Sequence, residues 1–318
     1  MQFELTREYL DELREAIEKK ETGKVKRFIE ELHPADIAEI YGILDLEEAR
    51  YIHLLLEREK STDVLVEIEE DTRKEFLHLL PSKEIAKHFS EYMDSDDAAD
   101  IIGQLNEEKQ QEVLSHIKDI EQAGYIVDLL NYDEDTAGGL MGKELIKVNV
   151  NWSLTTCLRE MRKQTEEIDQ IYFIYVVDDD NILKGTLSLK KLLMSPSTDR
   201  ISSVYNPDVI YARADASSEE VANIMQKYDL VALPVVDSIG RLIGRITIDD
   251  VVDVIREEAE KDYQMVSGIT EDVQPFDKVW VMTRARLPWL LIGLLGGIFG
   301  ALVISNYETD LKIYPEMA

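Results

Sequence analysis

A chain of 318 residues, 45% hydrophobic and 31% charged, is long enough for two or three folded domains and too apolar for disorder. Its 65 acids against 35 Lys and Arg give a formal net charge of −30, a field that repels nucleic acid and draws cations. The single cysteine, Cys157, excludes a disulfide framework and a cysteine-based zinc site within one chain, and the five histidines (His33, His53, His78, His88, His116) lack metal-ligand spacing.

The start, Met1-Gln-Phe-Glu-Leu-Thr-Arg-Glu, has no apolar leader and reads as cytosolic. Residues 1–131 then carry apolar side chains at spacings of three and four, as in Ile37, Ile40, Tyr41 and Leu44, which predicts an all-helical domain. Within it Pro34-Ala-Asp-Ile-Ala returns as Pro81-Ser-Lys-Glu-Ile-Ala, and Asp45-Leu-Glu-Glu-Ala as Asp94-Ser-Asp-Asp-Ala. Offsets of 47 and 49 residues suit stacked helix pairs in a short superhelical array, each echo opening on a helix-starting Pro or Asp.

From Phe89 to Glu108 there are seven acids (Glu91, Asp94, Asp96, Asp97, Asp100, Glu107, Glu108) and no Lys or Arg. Capping accounts for Asp94, and the positive helix start suits Asp96 and Asp97. Asp100 is left over: it shares a face with Asp96 at a spacing of four, which repels unless something neutralises it. Asp96, Asp97 and Asp100 are therefore a candidate cation-binding face.

A second repeat covers 132–200 and 201–250. Tyr175-Val-Val-Asp178 matches Pro234-Val-Val-Asp237, and Gly185-Thr-Leu-Ser188 matches Gly244-Arg-Ile-Thr247, both offset by 59 residues. The second copy reads strand Val209–Tyr211, helix Glu219–Tyr228, strand Ala232–Val236, a turn at Ile239-Gly240, strand Leu242–Ile246 and helix Asp249–Ile255: a duplicated α/β unit. Residues 251–286 continue as a connecting helix and linker. Their start is acidic, with Asp249, Asp250, Asp253, Glu257, Glu258, Glu260 and Asp262 beside an apolar stripe of Val251, Val254 and Ile255. Arg256 and Lys261 make a solvated, salt-bridged face the competing account. Residues 287–305 form an uncharged run about 28 Å long as a helix, enough to cross a bilayer core. Gly293, Gly296, Gly297 and Gly300 would weaken a soluble helix but permit close packing in a membrane. Lys278, Arg284 and Arg286 before the span predict that residues 1–286 are cytoplasmic; residues 306–318 are a tail.

Between the two repeats lies Tyr132-Asp-Glu-Asp-Thr-Ala-Gly-Gly-Leu-Met141. This run, followed by a duplicated unit similar to a pair of cystathionine-β-synthase-like (CBS) domains, resembles the MgtE family of magnesium transporters over nearly the whole chain. The resemblance implies a multidomain protein: an all-α superhelical N-domain, an α/β CBS pair, a plug helix from Asp249 towards Ser267, and a transmembrane helix. It implies a homodimer joined through the CBS domains, multi-pass in the cell membrane at full length, with several further pore-forming helices. It also implies Mg²⁺ ligands at Glu219, Asp229, Asp250, Asp253, Glu258 and Asp262. Ser217 and Lys261 stand where relatives have acids. Bridging Mg²⁺ would hold the N-domain against the CBS pair and seat the plug.

CBS pairs often bind adenine nucleotide, with an acid after Gly-x-x-Ser/Thr holding the ribose. Gly244-x-x-Thr247-x-x-Asp250 keeps the pattern, whereas Gly185-x-x-Ser188-x-x-Lys191 lacks the acid, so ATP at Ser188, Thr247 and Asp250 stays open. Enzyme signatures such as Gly-x-Ser-x-Gly, a phosphate-binding Gly-x-x-x-x-Gly-Lys or His-Glu-x-x-His are absent. The competing functions are a single-span, membrane-anchored CBS sensor that regulates a partner through adenine nucleotide, and a helical-repeat scaffold.

Overall fold

The computed structural model describes residues 5–89, 93–165, 168, 170–266 and 279–306. The side chains of Glu258, Lys261 and Asp262 lie outside the described residues, as do Glu91, the linker 267–278 and the tail from 307. Two compact units divide the chain, Met1–Asp250 and Val251–Ala318.

The first unit opens with ten short helices: α1 (Arg7–Glu18), α2 (Thr22–Ile29), α3 (Pro34–Ile43), α4 (Leu46–His53), α5 (Arg58–Glu67), α6 (Glu70–Leu79), α7 (Ser82–His88), α8 (Ser95–Gly103), α9 (Glu107–His116) and α10 (Ile120–Leu129). The sequence echo is a structural one, since α3–α4 and α7–α8 occupy matching places. Pro34 takes the first turn of α3 behind a His33 cap, and Asp45 Oδ1 accepts the Glu48 amide at 2.8 Å in a capping box. Asp94 also sits at a helix start, but its carboxylate makes no cap bond there. Expected capping by Asp94 is thus not what the structure holds, for a reason given below. Inside the array His53 and His88 are buried with Tyr41 and Phe76 as core residues.

Two three-stranded sheets follow. β1 (Ile146–Asn149), α11 (Leu154–Gln164), β2 (Ile174–Val177), β3 (Leu183–Leu187), α12 (Leu189–Met194) and α13 (Ile201–Val204) make one repeat. β4 (Ala212–Arg213), α14 (Ser218–Lys227), β5 (Ala232–Val236) and β6 (Leu242–Thr247) make the other. In each, the first strand runs parallel and the third antiparallel to the middle one. The first strand of the second copy is Ala212–Arg213, just past the expected Val209–Tyr211: Ile210 and Tyr211 stay exposed while Ala212 is buried. Cys157 packs in the first core with Ile146, Ile174 and Leu187.

The hairpin turns correspond residue for residue. Asn181 (φ 62°) and Gly240 (φ 87°) both take the left-handed conformation that Asn and Gly tolerate. Asp178 and Asp237 each accept two backbone amides across their turn. The turns also bond one another reciprocally, Leu183 N to Gly240 O and Leu242 N to Asn181 O, both at 3.0 Å. This pseudo-twofold exchange ties the repeats into one body.

α15 (Ile248–Val266) leaves the second repeat. In the second unit α16 (Val279–Asn306) begins before the expected span, with Pro288 inside it. Residues Arg286–Ser305 of α16 are long and apolar enough to cross a membrane, with mean hydropathy 2.3.

Close backbone approach makes one glycine decisive for the fold. A Cβ on Gly185 would lie 2.0 Å from Asn206 O, where β3 pairs with the approach to the second repeat. Gly185→Ala should therefore lower stability by about 1–3 kcal/mol in denaturant melts. Gly124→Ala, whose Cβ meets nothing within 4 Å inside α10, should raise it by up to about 1 kcal/mol.

Candidate cation-binding site

The run Tyr132–Met141 is a coiled connection whose glycines are forced by contact. Thr136 folds back through its amide (3.1 Å) and hydroxyl (2.7 Å) onto Asp133 O. A Cβ on Gly139 would sit 2.4 Å from that same carbonyl. The chain then runs beside the second α/β repeat, Ala137 N donating to Ala216 O at 2.8 Å and Gly138 N to Ala214 O at 3.0 Å. It ends in a two-way bond between Gly142 and Arg245 of β6, at 2.8 and 3.0 Å.

Here the helical array meets the α/β repeats. Ser95, at the start of α8, donates its amide to Glu144 Oε1 at 3.0 Å and its hydroxyl to Glu144 Oε2 at 2.9 Å, and accepts the Lys143 amide at 2.9 Å. Glu144 therefore supplies the helix-start acceptor that Asp94 does not. Asp94 turns to Arg245 instead, 3.7 Å away. Gly142 has no side chain because Asp96 fills the space: a Cβ would lie 2.8 Å from Asp96 Oδ2.

Opposite α8, Asp250 is fixed by Thr247, whose amide donates to Asp250 Oδ2 at 2.9 Å and whose hydroxyl reaches Asp250 (2.8 Å) and Asp249. The result is a crowd of acids. Burial, with Asp250, Asp97, Glu144 and Asp94 adding repulsion, drives the Asp96 pKa well above the usual carboxylate range. Burial and then Asp250 push Asp97 up to about 8. Asp100 rises to about 7 by desolvation, with Glu134, Asp250 and Glu70 opposing its charge and Arg73 relieving it. Asp250 rises to about 6 through burial, despite the Thr247 bonds. Glu144 is raised by burial and Asp94. In each case desolvation is the larger cause and neighbouring charge the smaller, and together they disfavour the ionised carboxylate.

The donors are all carboxylate oxygens, without sulfur or imidazole, a set that suits a hard divalent cation. Asp94, Asp96 and Glu144 each offer an oxygen within 4.8 Å of the others, a span that a partly hydrated ion can bridge.

Of the residues anticipated from sequence, Asp96, Asp97, Asp100 and Asp250 come together, with exposed Asp249 adjoining through Thr247. Glu219, in the first turn of α14, and Asp229, left-handed at φ 50° after that helix, are exposed; among the described residues no hydrogen bond or ion pair joins them to α8. Asp253 is exposed on the second unit. Ser217 caps α14 by accepting the Glu220 amide at 3.2 Å. Ser188 caps α12 in the same way with Lys191, at the place corresponding to Thr247 and Asp250. Glu144, Glu134, Arg73 and Arg245 are not marked by the sequence pattern; the one signal for Glu144 is its position just past the Gly138-Gly139 run, two residues after Gly142.

The family described as "MgtE intracellular N domain" matches residues 32–135, and the CBS domain family matches 137–197 and 201–257. The magnesium transporter MgtE of Thermus thermophilus is 32% identical over 310 residues, covering 96% of this chain and 69% of that protein. That of Bacillus subtilis is 30% identical over 294 residues (91% and 64%), and that of Enterococcus faecalis 34% over 189 (59% and 42%). The chain thus spans about two thirds or less of these relatives. A crystal structure of the cytosolic domain of the Mg²⁺ channel MgtE in complex with ATP superposes with a TM-score of 0.70 at 34% identity, covering 77% of this chain and 99% of that one. A structure of the soluble part of a magnesium transporter gives 0.66 at 29%, covering 79% and 98%.

The raised carboxylates fix a pH dependence. A group whose folded pKa exceeds its unfolded value favours the folded form while protonated and loses that contribution as pH rises through the folded pKa. For Asp250, Asp100 and Asp97 this loss runs through about 6, 7 and 8. Burial depresses His53 to about 3 and His88 to about 4, which costs stability as pH falls below the free imidazole value near 6.5. Between about pH 8 and 6.5 the carboxylates act alone. In chelator, acidification across that window should raise the melting temperature, and saturating divalent cation should abolish the dependence. A pH-independent melt in chelator would contradict the cluster.

Proposed function

The chain belongs to the MgtE family of magnesium transporters, and on that premise we propose that it is the Mg²⁺-sensing and gating region of a magnesium channel, with residues 1–286 cytoplasmic and 287–305 in the membrane. The single observation that carries the reading is the meeting of Asp96, Asp97 and Asp100 on α8 with Asp250 of the second CBS repeat, the three α8 acids raised first by desolvation and further by the charge of Asp250. Mg²⁺ would be held by these acids together with Asp94 and Glu144. Binding it removes the repulsion that opposes the compact arrangement, so Mg²⁺ prefers that arrangement to one with the domains apart and shifts the population towards it. The domain limits 1–131, 132–200, 201–250 and 251–286 fit this division of labour: a helical arm, a CBS pair, and a plug helix carrying the signal towards the membrane. Further ligands at Glu219, Asp229, Asp249, Asp253, Glu258 and Asp262 belong to the same proposal. The reading is one of transport, not catalysis, as the relatives' names have it.

A nucleotide is the second ligand the reading admits, since a relative's cytosolic domain was crystallised with ATP. Thr247 and Asp250 would take the ribose and Ser188 would contribute from the other repeat. Asp250 then faces two claimants, and cation and nucleotide are expected to influence each other's affinity reciprocally.

Asp96→Asn with Asp100→Asn removes repulsion and ligands together. Small-angle scattering at fixed ionic strength should find this variant more compact without Mg²⁺, with the Mg²⁺ midpoint displaced upward by at least about tenfold, as loss of charge-assisted bonds predicts. Asp11→Asn with Asp180→Asn, outside the cluster, should respond as the parent does. Equal responses from both variants would refute bridging and leave only general screening.

The CBS pair exposes Leu193 (68%), Met194 (79%) and Ile239 (63%), apolar surface that a second copy would cover. Light scattering of the detergent-solubilised chain in Mg²⁺ should give twice the chain mass after micelle correction, and Leu193→Asp with Met194→Asp should shift it towards monomer. A parent monomer would defeat this assignment.

A further inference from the structure

A second charged feature lies on the other side of Glu144. A cleft of about 1190 Å³ opens between α5, α7, the α9–α10 turn and α10 on one wall and the β1 side of the first repeat on the other. Six cations line it: Arg58, Lys83, Lys87, Lys118, Lys143 and Lys147. In a chain with almost two acids for every base, this is a local reversal of sign.

The acids of the cleft are already engaged. Asp94 pairs with Arg245, Asp119 caps α10 through the amides of Glu121 and Gln122, Glu121 accepts the Tyr125 hydroxyl at 2.7 Å, and Glu144 holds Ser95. Two of the cations are engaged as well, Lys143 with Asp128 at 2.6 Å and Lys87 with Glu84 at 3.8 Å. Arg58, Lys83, Lys118 and Lys147 are exposed, and among the described residues no carboxylate lies within ion-pair distance of any of them. Four cations without a carboxylate partner among the described residues line one concavity in a molecule of strongly negative field, which makes this cleft a place where an anion is favoured. Ile117, Leu145 and Leu242 add apolar lining, and the cleft is large enough to admit a small molecule.

We propose that this cleft binds a small phosphorylated anion, its phosphate on Lys83, Lys118, Lys147 and Arg58 and its less polar part on the apolar lining. Such a ligand touches the helical domain and the first CBS repeat together, so it stabilises the same compact arrangement as the acidic cluster while using the opposite charge. The inference rests on the proposed gating reading only for that consequence; the site itself does not require Mg²⁺ to act.

Pyridoxal 5′-phosphate tests it on the full chain in detergent. Its aldehyde condenses with a lysine amine, losing water, and borohydride reduces the imine to a stable adduct that peptide mass spectrometry locates. Lys83, Lys118 and Lys147 should be labelled about tenfold or more faster than exposed Lys26 and Lys190, as electrostatic enrichment predicts. The preference should vanish with pyridoxal lacking the phosphate, and inorganic phosphate should protect. Lys83→Ala with Lys118→Ala, both surface changes, should remove phosphate protection at Lys147. Cleft lysines labelled no faster than Lys190, with Mg²⁺ and with chelator alike, would overturn the site. Protection that is equal in Mg²⁺ and in chelator would uphold the site and count against cation-dependent compaction. Protection by phosphatidylglycerol vesicles but not by phosphate would overturn the small-anion assignment.

Discussion

Like charge brought together where two domains meet, half-buried at Asp96, Asp97 and Asp250 and exposed at Asp100, is the constraint on which the rest of this molecule turns. Desolvation first, and then the charge of Asp250, raises the proton affinity of Asp96, Asp97 and Asp100, while Arg73 relieves Asp97 and Asp100 and Arg245 relieves Asp250. Such an arrangement does not add to stability when ionised, because desolvation and neighbouring like charge both disfavour the carboxylate form. Its donors are all carboxylate oxygens, the set that suits the hard cation proposed as its occupant.

The connection between the helical array and the CBS repeats keeps those acids in place. Gly138 and Gly139 let the chain fold tightly over Tyr132 and Asp133, and the two-way bond between Gly142 and Arg245 pins it to β6. Two residues on, Glu144 reaches back to Ser95. A single strand of chain thereby sets the distance between α8 and Asp250, which belong to different domains and would otherwise share no element. The basic cleft borders the same strand at Lys143, Glu144 and Lys147, so both sign-opposed sites are read through one connector.

Much of this was legible from residues alone. Two internal repeats gave both architectures, because a supersecondary unit stacked on its own copy must repeat its apolar spacing and its turn chemistry. Asn181 and Gly240, 59 residues apart, share one left-handed turn. Acids without basic neighbours marked α8, since a helix with Asp96 and Asp100 on one face has no local means of balancing them. What stayed hidden was partnership across domains. Asp94 looks like a helix cap by position and is not one, because Glu144, 50 residues later, occupies the cap and leaves Asp94 to Arg245. No local pattern announces a carboxylate borrowed from elsewhere in the chain. Strand β4 was misplaced towards Val209–Tyr211 for a related reason: Ile210 and Tyr211 have strand-like side chains, but the pairing partner Val235 selects Ala212.

The borrowed cap ties one helix end to the other domain. While Glu144 holds Ser95, the first amide of α8 is satisfied by a residue of the other domain. On the proposed gating reading, parting the domains would take that acceptor away and closing them would return it, so order at the helix start that carries Asp96 and Asp97 would rise and fall with the contact between the domains.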